Sequence, residues 1–191
     1  GWDKQRELTH ATQLEMGIIP KGTKLTPRVK EVPSWDSRSA DEKKVYARLM
    51  ENYAAFMDYT DSEVGRLIES LRTSGELDNT LVMYVVGDNG ASAEGGLEGT
   101  FSEIASLIGV QLGLESTIKR IDEIGGPSSE PHVPVGWAWA MNAPFQWTKQ
   151  VASHFGGTRN PMVVHWPKGI KAKGELREQF HHVIDVVPTI L

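Results

Sequence analysis

The stretch Leu81-Val-Met-Tyr-Val-Val-Gly-Asp-Asn-Gly90 decides how this sequence folds. Leu81 to Val86 is an uncharged apolar run that includes three valines. It is too short to cross a bilayer and fits a strand buried on both faces, the kind found inside parallel sheets. Gly87, Asp88, Asn89 and Gly90 close it. In open α/β sheets, ligands gather beyond the carboxyl ends of the strands. A carboxylate and a carboxamide at that place are candidate oxygen ligands for a hard cation such as Ca²⁺ or Mg²⁺. The same residues also read as a turn, since Asp and Asn tolerate left-handed backbone and Gly adopts it freely. Both readings stay open on these residues alone.

Working back from the strand, Leu77-Asp78-Asn79-Thr80 joins it to a long helix. Ser39-Ala40-Asp41-Glu42 has the form of a capping box, in which the serine hydroxyl and the glutamate side chain satisfy each other's orphan amides. Val45, Leu49, Tyr53, Phe56, Thr60, Val64, Leu67 and Leu71 follow at three- and four-residue steps up to Gly75, one apolar stripe on one continuous helix. Before it, Ile18 to Trp35 carries three prolines and reads as an extended surface connection. Residues 2 to 16 place Leu8, Ala11, Leu14 and Met16 among charged neighbours, which predicts an amphipathic helix.

Working forward, Ala91 to Thr100 holds three further glycines. Such a loop can pass close to a ligand or offer backbone amides to an anion, and it reads equally as a flexible linker. Residues 101 to 124 return to helical spacing, broken near Gly109 and Gly113. Trp137, Trp139, Phe145 and Trp147 form an aromatic cluster. It reads as a satellite core beneath a long loop or as one wall of a pocket. Lys149, His154 and Arg159 then share a glycine-rich stretch ahead of a second strand, Met162-Val-Val-His-Trp166. Cations near a strand end that carries metal ligands suit an anionic substrate. Lys168 to Glu178 reads as a charged turn, and Asp185 or the residue before it opens a last helix with Pro188 in its first turn.

Composition narrows the classes. The 191 residues are 39% hydrophobic and 24% charged, which suits one globular domain or a large piece of one. Twenty basic and 25 acidic residues give a net charge of −5 without a basic run, so nucleic acid is not an expected partner. No apolar stretch has the length of a membrane span, so no membrane association is expected. The chain lacks cysteine, which excludes disulfides, thiolate metal sites and a cysteine nucleophile within it. Localisation is left open.

Asp88-Asn89-Gly90 after an apolar strand, Lys149 ahead of Gly156-Gly157-Thr158-Arg159, the strand from Pro161 to Pro167 and Asp185-Val-Val-Pro-Thr-Ile-Leu191 occur in this order in type I sulfatases. From end to end the sequence resembles the second half of the catalytic domain of a bacterial arylsulfatase, in the alkaline-phosphatase-like superfamily. The order and spacing of the motifs are more specific than any one of them. The resemblance implies an α/β fold with a mixed, mainly parallel sheet flanked by helices. It implies that Asp88 and Asn89 are two ligands of an active-site Ca²⁺ and that Lys149 contacts the sulfate group. His154 is a second substrate-binding candidate there, and Arg159 a brace of the loop against the sheet. Two departures stand out: Lys149 precedes Gly156 by seven residues, one more than the family pattern, and Phe155 occupies the usual glutamate position.

The nucleophile implied by the family is a formylglycine made from cysteine or serine in a Cys/Ser-x-Pro-x-Arg motif. That motif is not in this sequence. Residues 1–191 are accordingly expected to be a partial catalytic domain without its N-terminal, nucleophile-bearing half. Two early aspartate ligands and the acid–base histidines are expected upstream of Gly1. The implied chemistry is covalent transfer of sulfate from a small-molecule ester. The chain alone is expected to show negligible turnover and weak Ca²⁺ binding, because Ca²⁺ takes six to eight oxygens. A metal-dependent phosphodiesterase or phosphonate hydrolase of the same superfamily is the alternative, and a non-catalytic binding module is another. An unpaired edge at the 81–86 strand would also invite self-association.

Overall fold

The computed structural model describes residues 1–110 and 112–191. Gln111, inside the span read as a broken helix, lies outside the described residues. The chain opens with helix α1, Trp2–Glu15. An irregular connection carries it to the long helix α2, Ala40–Thr73. Strand β1, Val82–Val85, follows. Short helices α3 (Glu103–Leu107), α4 (Leu114–Lys119), α5 (Val135–Met141) and α6 (Phe155–Thr158) come next. Strand β2, Met162–His165, and helix α7, Val186–Ile190, complete it.

Helix α2 starts where the sequence places it. The Ser39 hydroxyl accepts from the Glu42 amide at 3.2 Å, and the Ser39 amide donates to Glu42 Oε2 at 2.6 Å. Only the first half of the apolar stripe packs. Val45, Tyr46 and Leu49 are buried, whereas Phe56 and Leu67 are 65% and 62% exposed. The expected break in 101–124 is present, with α3 and α4 on either side of it.

Helix α1 forms as predicted but packs through a different face. Leu8 and Met16 are exposed, while Trp2 and Arg6 are buried. The reason is the neighbour: α1 lies on α5, whose residues Gly136 to Ala140 are all buried. The Trp2 ring lies against the bare Cα of Gly136, where any Cβ would overlap it. Trp2 meets Trp35 edge-on at 4.9 Å between centroids, and Trp137 at 6.0 Å. Both indoles keep a hydrogen-bond partner, as buried tryptophans generally do: Trp2 Nε1 donates to Pro33 O and Trp137 Nε1 to Tyr46 O, each at 3.0 Å. Trp137 and Trp139 therefore belong to the principal core between α1, α2 and α5, not to a satellite, whereas Trp147 is half-buried outside it. Phe145, by contrast, lines a groove together with Phe155 and Arg159.

The sheet corrects the expectation of a mainly parallel arrangement. Among the described residues it has two strands, β1 and β2, paired antiparallel from Val82 opposite His165 to Val85 opposite Met162. β1 is half-buried rather than buried on both faces, and its last residue, Val85, is exposed. The direction follows from where the chain returns. Asn160 Nδ2 donates to Asp88 O at 3.0 Å, and the Val86 amide to Pro161 O at 3.3 Å. The chain thus arrives beside the end of β1, and β2 has to run the opposite way. The main core is formed by helices rather than laid across this sheet. No described helix is long and apolar enough to cross a membrane.

Candidate active site

Antiparallel pairing brings the exit of β1 and the entry of β2 to one end of the sheet. There Gly87 to Gly90 make a turn closed by the Gly90 amide donating to Gly87 O at 2.9 Å. The turn reading of Asp88-Asn89 is realised, and the turn lies at the end of β1. Both side chains are exposed. Gly90 has φ +84°, and a Cβ on it would overlap the Gly156 carbonyl oxygen. Glycine is required there on two counts, left-handed backbone and close approach.

The approach of Gly156 to Gly90 draws the whole 142–160 segment onto the turn. The Asn142 side chain bridges the two, accepting from the Ala91 amide and donating to Trp147 O, each at 3.0 Å. The Lys149 amide donates to Ala91 O at 2.9 Å. Lys149, Asp88 and Asn89, remote in sequence, therefore belong to one loop cluster. The Lys149 ammonium pairs with Glu94 Oε2 at 2.9 Å.

His154 stands at the N-cap of α6 without capping it. Its Nδ1 lies 2.9 Å from Ser153 Oγ, and its ring meets the edge of Trp147 at 6.0 Å. The Arg159 guanidinium lies over Phe145 and Phe155, at 5.5 and 5.7 Å from their centroids. That contact ties the α6 loop to the segment behind it.

Sequence reasoning missed the polar residues around Lys149. Glu94 accepts from Ser92 Oγ at 2.5 Å and from Gln150 Nε2 at 3.0 Å. The Ser92 hydroxyl, and after it Lys149, hold the Glu94 carboxyl below the usual carboxylate range. His132 Nε2 lies 3.0 Å from Ser92 Oγ, and its Nδ1 lies 3.1 Å from Val133 O. No spacing links positions 92, 94, 132 and 149. The only local signal was the glycine loop, where Gly95 passes so close to His132 and Val133 O that a Cβ would not fit.

Asp88 and Asn89 fit a hard cation as two oxygen donors on an exposed turn, a minority of the set that Ca²⁺ takes. Glu94, Glu103 and His132 also bring ligand-type atoms within 4.8 Å of one another. Glu94 Oε2, however, already accepts from both Ser92 and Lys149.

The chain matches the family model described as Sulfatase over residues 7–191. It is 32% identical over 192 aligned positions to an uncharacterized sulfatase of Schizosaccharomyces pombe (strain 972 / ATCC 24843), covering 100% of this chain and 33% of that protein. It is 28% identical over 175 positions to an arylsulfatase of Klebsiella aerogenes, covering 92% of this chain and 35% of that protein. This chain belongs to the sulfatase family, within the alkaline-phosphatase-like superfamily. It spans about a third of the length of the curated relatives it matches.

Proposed function

We propose that this chain is part of an arylsulfatase, a hydrolase of small-molecule sulfate esters, and supplies one side of its active site. Asp88 and Asn89 would hold the active-site Ca²⁺ in part. Bound there, the ion supplies Lewis-acid polarisation and a template for the sulfate oxygens. Lys149 contacts the sulfate group and offsets the charge that builds up during transfer. His154 lies in the same loop as a second group able to bind the ester. The nucleophile is a formylglycine outside this chain. The carrying observation is that the Lys149 amide is tied to Ala91 O at 2.9 Å, beside the turn of Asp88 and Asn89. The arylsulfatase relative supports the same reading. We also propose that the free edges of the β1–β2 pair support self-association or belong to a larger mixed sheet.

The test uses protein expressed from its complete reading frame, with Ca²⁺ and p-nitrophenyl sulfate. Hydrolysis is expected, with Lys149→Ala reducing kcat/KM by about 10²-fold and Asp88→Ala raising the Ca²⁺ concentration needed for activity. Faster turnover of a p-nitrophenyl phosphodiester would favour the phosphoesterase alternative, and no turnover of either ester the binding module. Residues 1–191 alone are expected to show no turnover above buffer, and activity there would overturn the placement of the nucleophile.

A further inference from the structure

Ser92, Glu94, His132 and Gln150 surround Lys149, yet the proposed reaction uses only the lysine. We propose that Glu94 is a positioning residue for Lys149. This rests on the reading that Lys149 contacts the sulfate group.

A lysine side chain carries about 2 kcal/mol of rotamer entropy and offers three N–H donors on a flexible stem. Here both ends of the residue are tied to one loop: the amide to Ala91 O, and the ammonium to Glu94 Oε2, each at 2.9 Å. One N–H is committed to Glu94, so the other two have fixed directions before an ester arrives. Preorganisation of this kind favours the transition state, because ordering is not deferred to the reaction.

Glu94 is itself held from several sides. Ser92 Oγ reaches Oε2 at 2.5 Å, Gln150 Nε2 reaches Oε1 at 3.0 Å, and the Glu94 amide donates to Ser92 Oγ at 3.2 Å. Behind Ser92 stands His132, anchored at its other ring nitrogen by Val133 O. Two isolated bridges, Thr100 to His132 and Ser102 to Glu130, lock the histidine's segment to the glycine loop. The Lys149 and Glu94 side chains are 29% and 33% exposed, so the pair is reachable by a substrate without being dissolved in bulk water.

A cation held by Glu94, Glu103 and His132 is the competing reading of this cluster. Metal-bound histidines usually anchor their second nitrogen in just the way His132 does. Against it, both Glu94 oxygens already accept, Oε2 from Ser92 and Lys149 and Oε1 from Gln150, and the ion would face an ammonium at close range.

The decisive measurement is a double-mutant cycle in protein from the complete reading frame, with p-nitrophenyl sulfate as probe. Glu94→Gln is expected to lower kcat by about 10- to 100-fold, with no rise in KM and an unchanged Tm. In a Lys149→Ala background the same change should have little further effect. Ser92→Ala, which strips one donor from Glu94 and keeps the charge, should give a smaller loss of the same kind. It carries the test if Glu94→Gln does not fold. Losses that add to those of Lys149→Ala would overturn the positioning role while leaving the sulfate contact standing. A Lys149→Ala enzyme with undiminished kcat/KM would overturn the sulfate contact itself. Metal per chain is read alongside by elemental analysis: a metal lost on Glu94→Gln would assign the cluster to a cation.

Discussion

At the residue scale, Arg6 carries the largest consequence for its size. It is 1% exposed. Its guanidinium donates to Trp139 O, Thr26 Oγ1 and Phe145 O at 2.7 Å each and to Pro144 O at 3.2 Å. It also lies 4.3 Å from the centroid of the Trp139 ring. Burial pushes its pKa down to about 10, so it stays charged at neutral pH. The sign follows from the depressed value of a base. Folding disfavours the proton on this group, so any gain in stability from its titration comes only as pH rises above about 10. Its worth near neutrality lies in the acceptors it satisfies. Arg6→Met should leave the Trp139 and Phe145 carbonyls without this donor, at about 1–3 kcal/mol each, and lower the urea midpoint sharply. Arg6→Lys, a compact and strongly hydrated ammonium in place of the planar guanidinium fork, should recover only part of the loss. Equal midpoints for Arg6→Met and the parent would overturn this account. Apolar spacing could not reveal the role, because the packed face of α1 is read through hydrogen bonds to the 139–145 backbone.

At the element scale, α2 was readable from its cap, and its start is a local property. The Ser39 backbone amide, first, and the Ser39 hydroxyl hold the Glu42 carboxyl below its ordinary value of 4.5. A depressed carboxylate pKa stabilises above the unfolded value, and that part is lost as pH falls through the folded one. Ser39→Ala is expected to cost about 1 kcal/mol and, because the Ser39 amide remains, to flatten the stability profile below pH about 5 only in part. Urea titrations at several pH values measure both. An unchanged acid limb would count against the capping box as its source. The break in 101–124 was equally legible, since Gly109 and Gly113 interrupt the helical spacing. The partner of β1 was not. An apolar strand accepts a neighbour in either direction, and the neighbour's direction was set by the contact of Gly156 with Gly90.

At the scale of the whole molecule, the lower half of α2 and the outer faces of the sheet remain open. Phe56, Tyr59 and Leu67 on α2 and Val163 on β2 are each more than half exposed. Open ladder edges and apolar faces together favour association. Residues 1–191 in solution are expected to form concentration-dependent oligomers by light scattering, and Val163→Lys should shift them toward monomer. A monodisperse monomer across the concentration range would sink this prediction.

The sequence by itself determined the long capped helix, the apolar strand read at 81–86 and the strand-end pair Asp88-Asn89, because each is encoded in short-range spacing, and the order of its motifs along the chain pointed to the family. Tertiary structure alone decided that Trp2, Trp137 and Trp139 sit in the principal core, that α1 packs through Arg6, that the two strands run antiparallel, and that Lys149 is paired to Glu94. Each of those joins residues far apart in the chain through a hydrogen bond or a close backbone approach. Periodicity carries no information about such contacts. Gly90 shows the division most plainly: its left-handed turn was visible in Asp-Asn-Gly, whereas the Gly156 carbonyl it must admit was visible only once the chain had folded back.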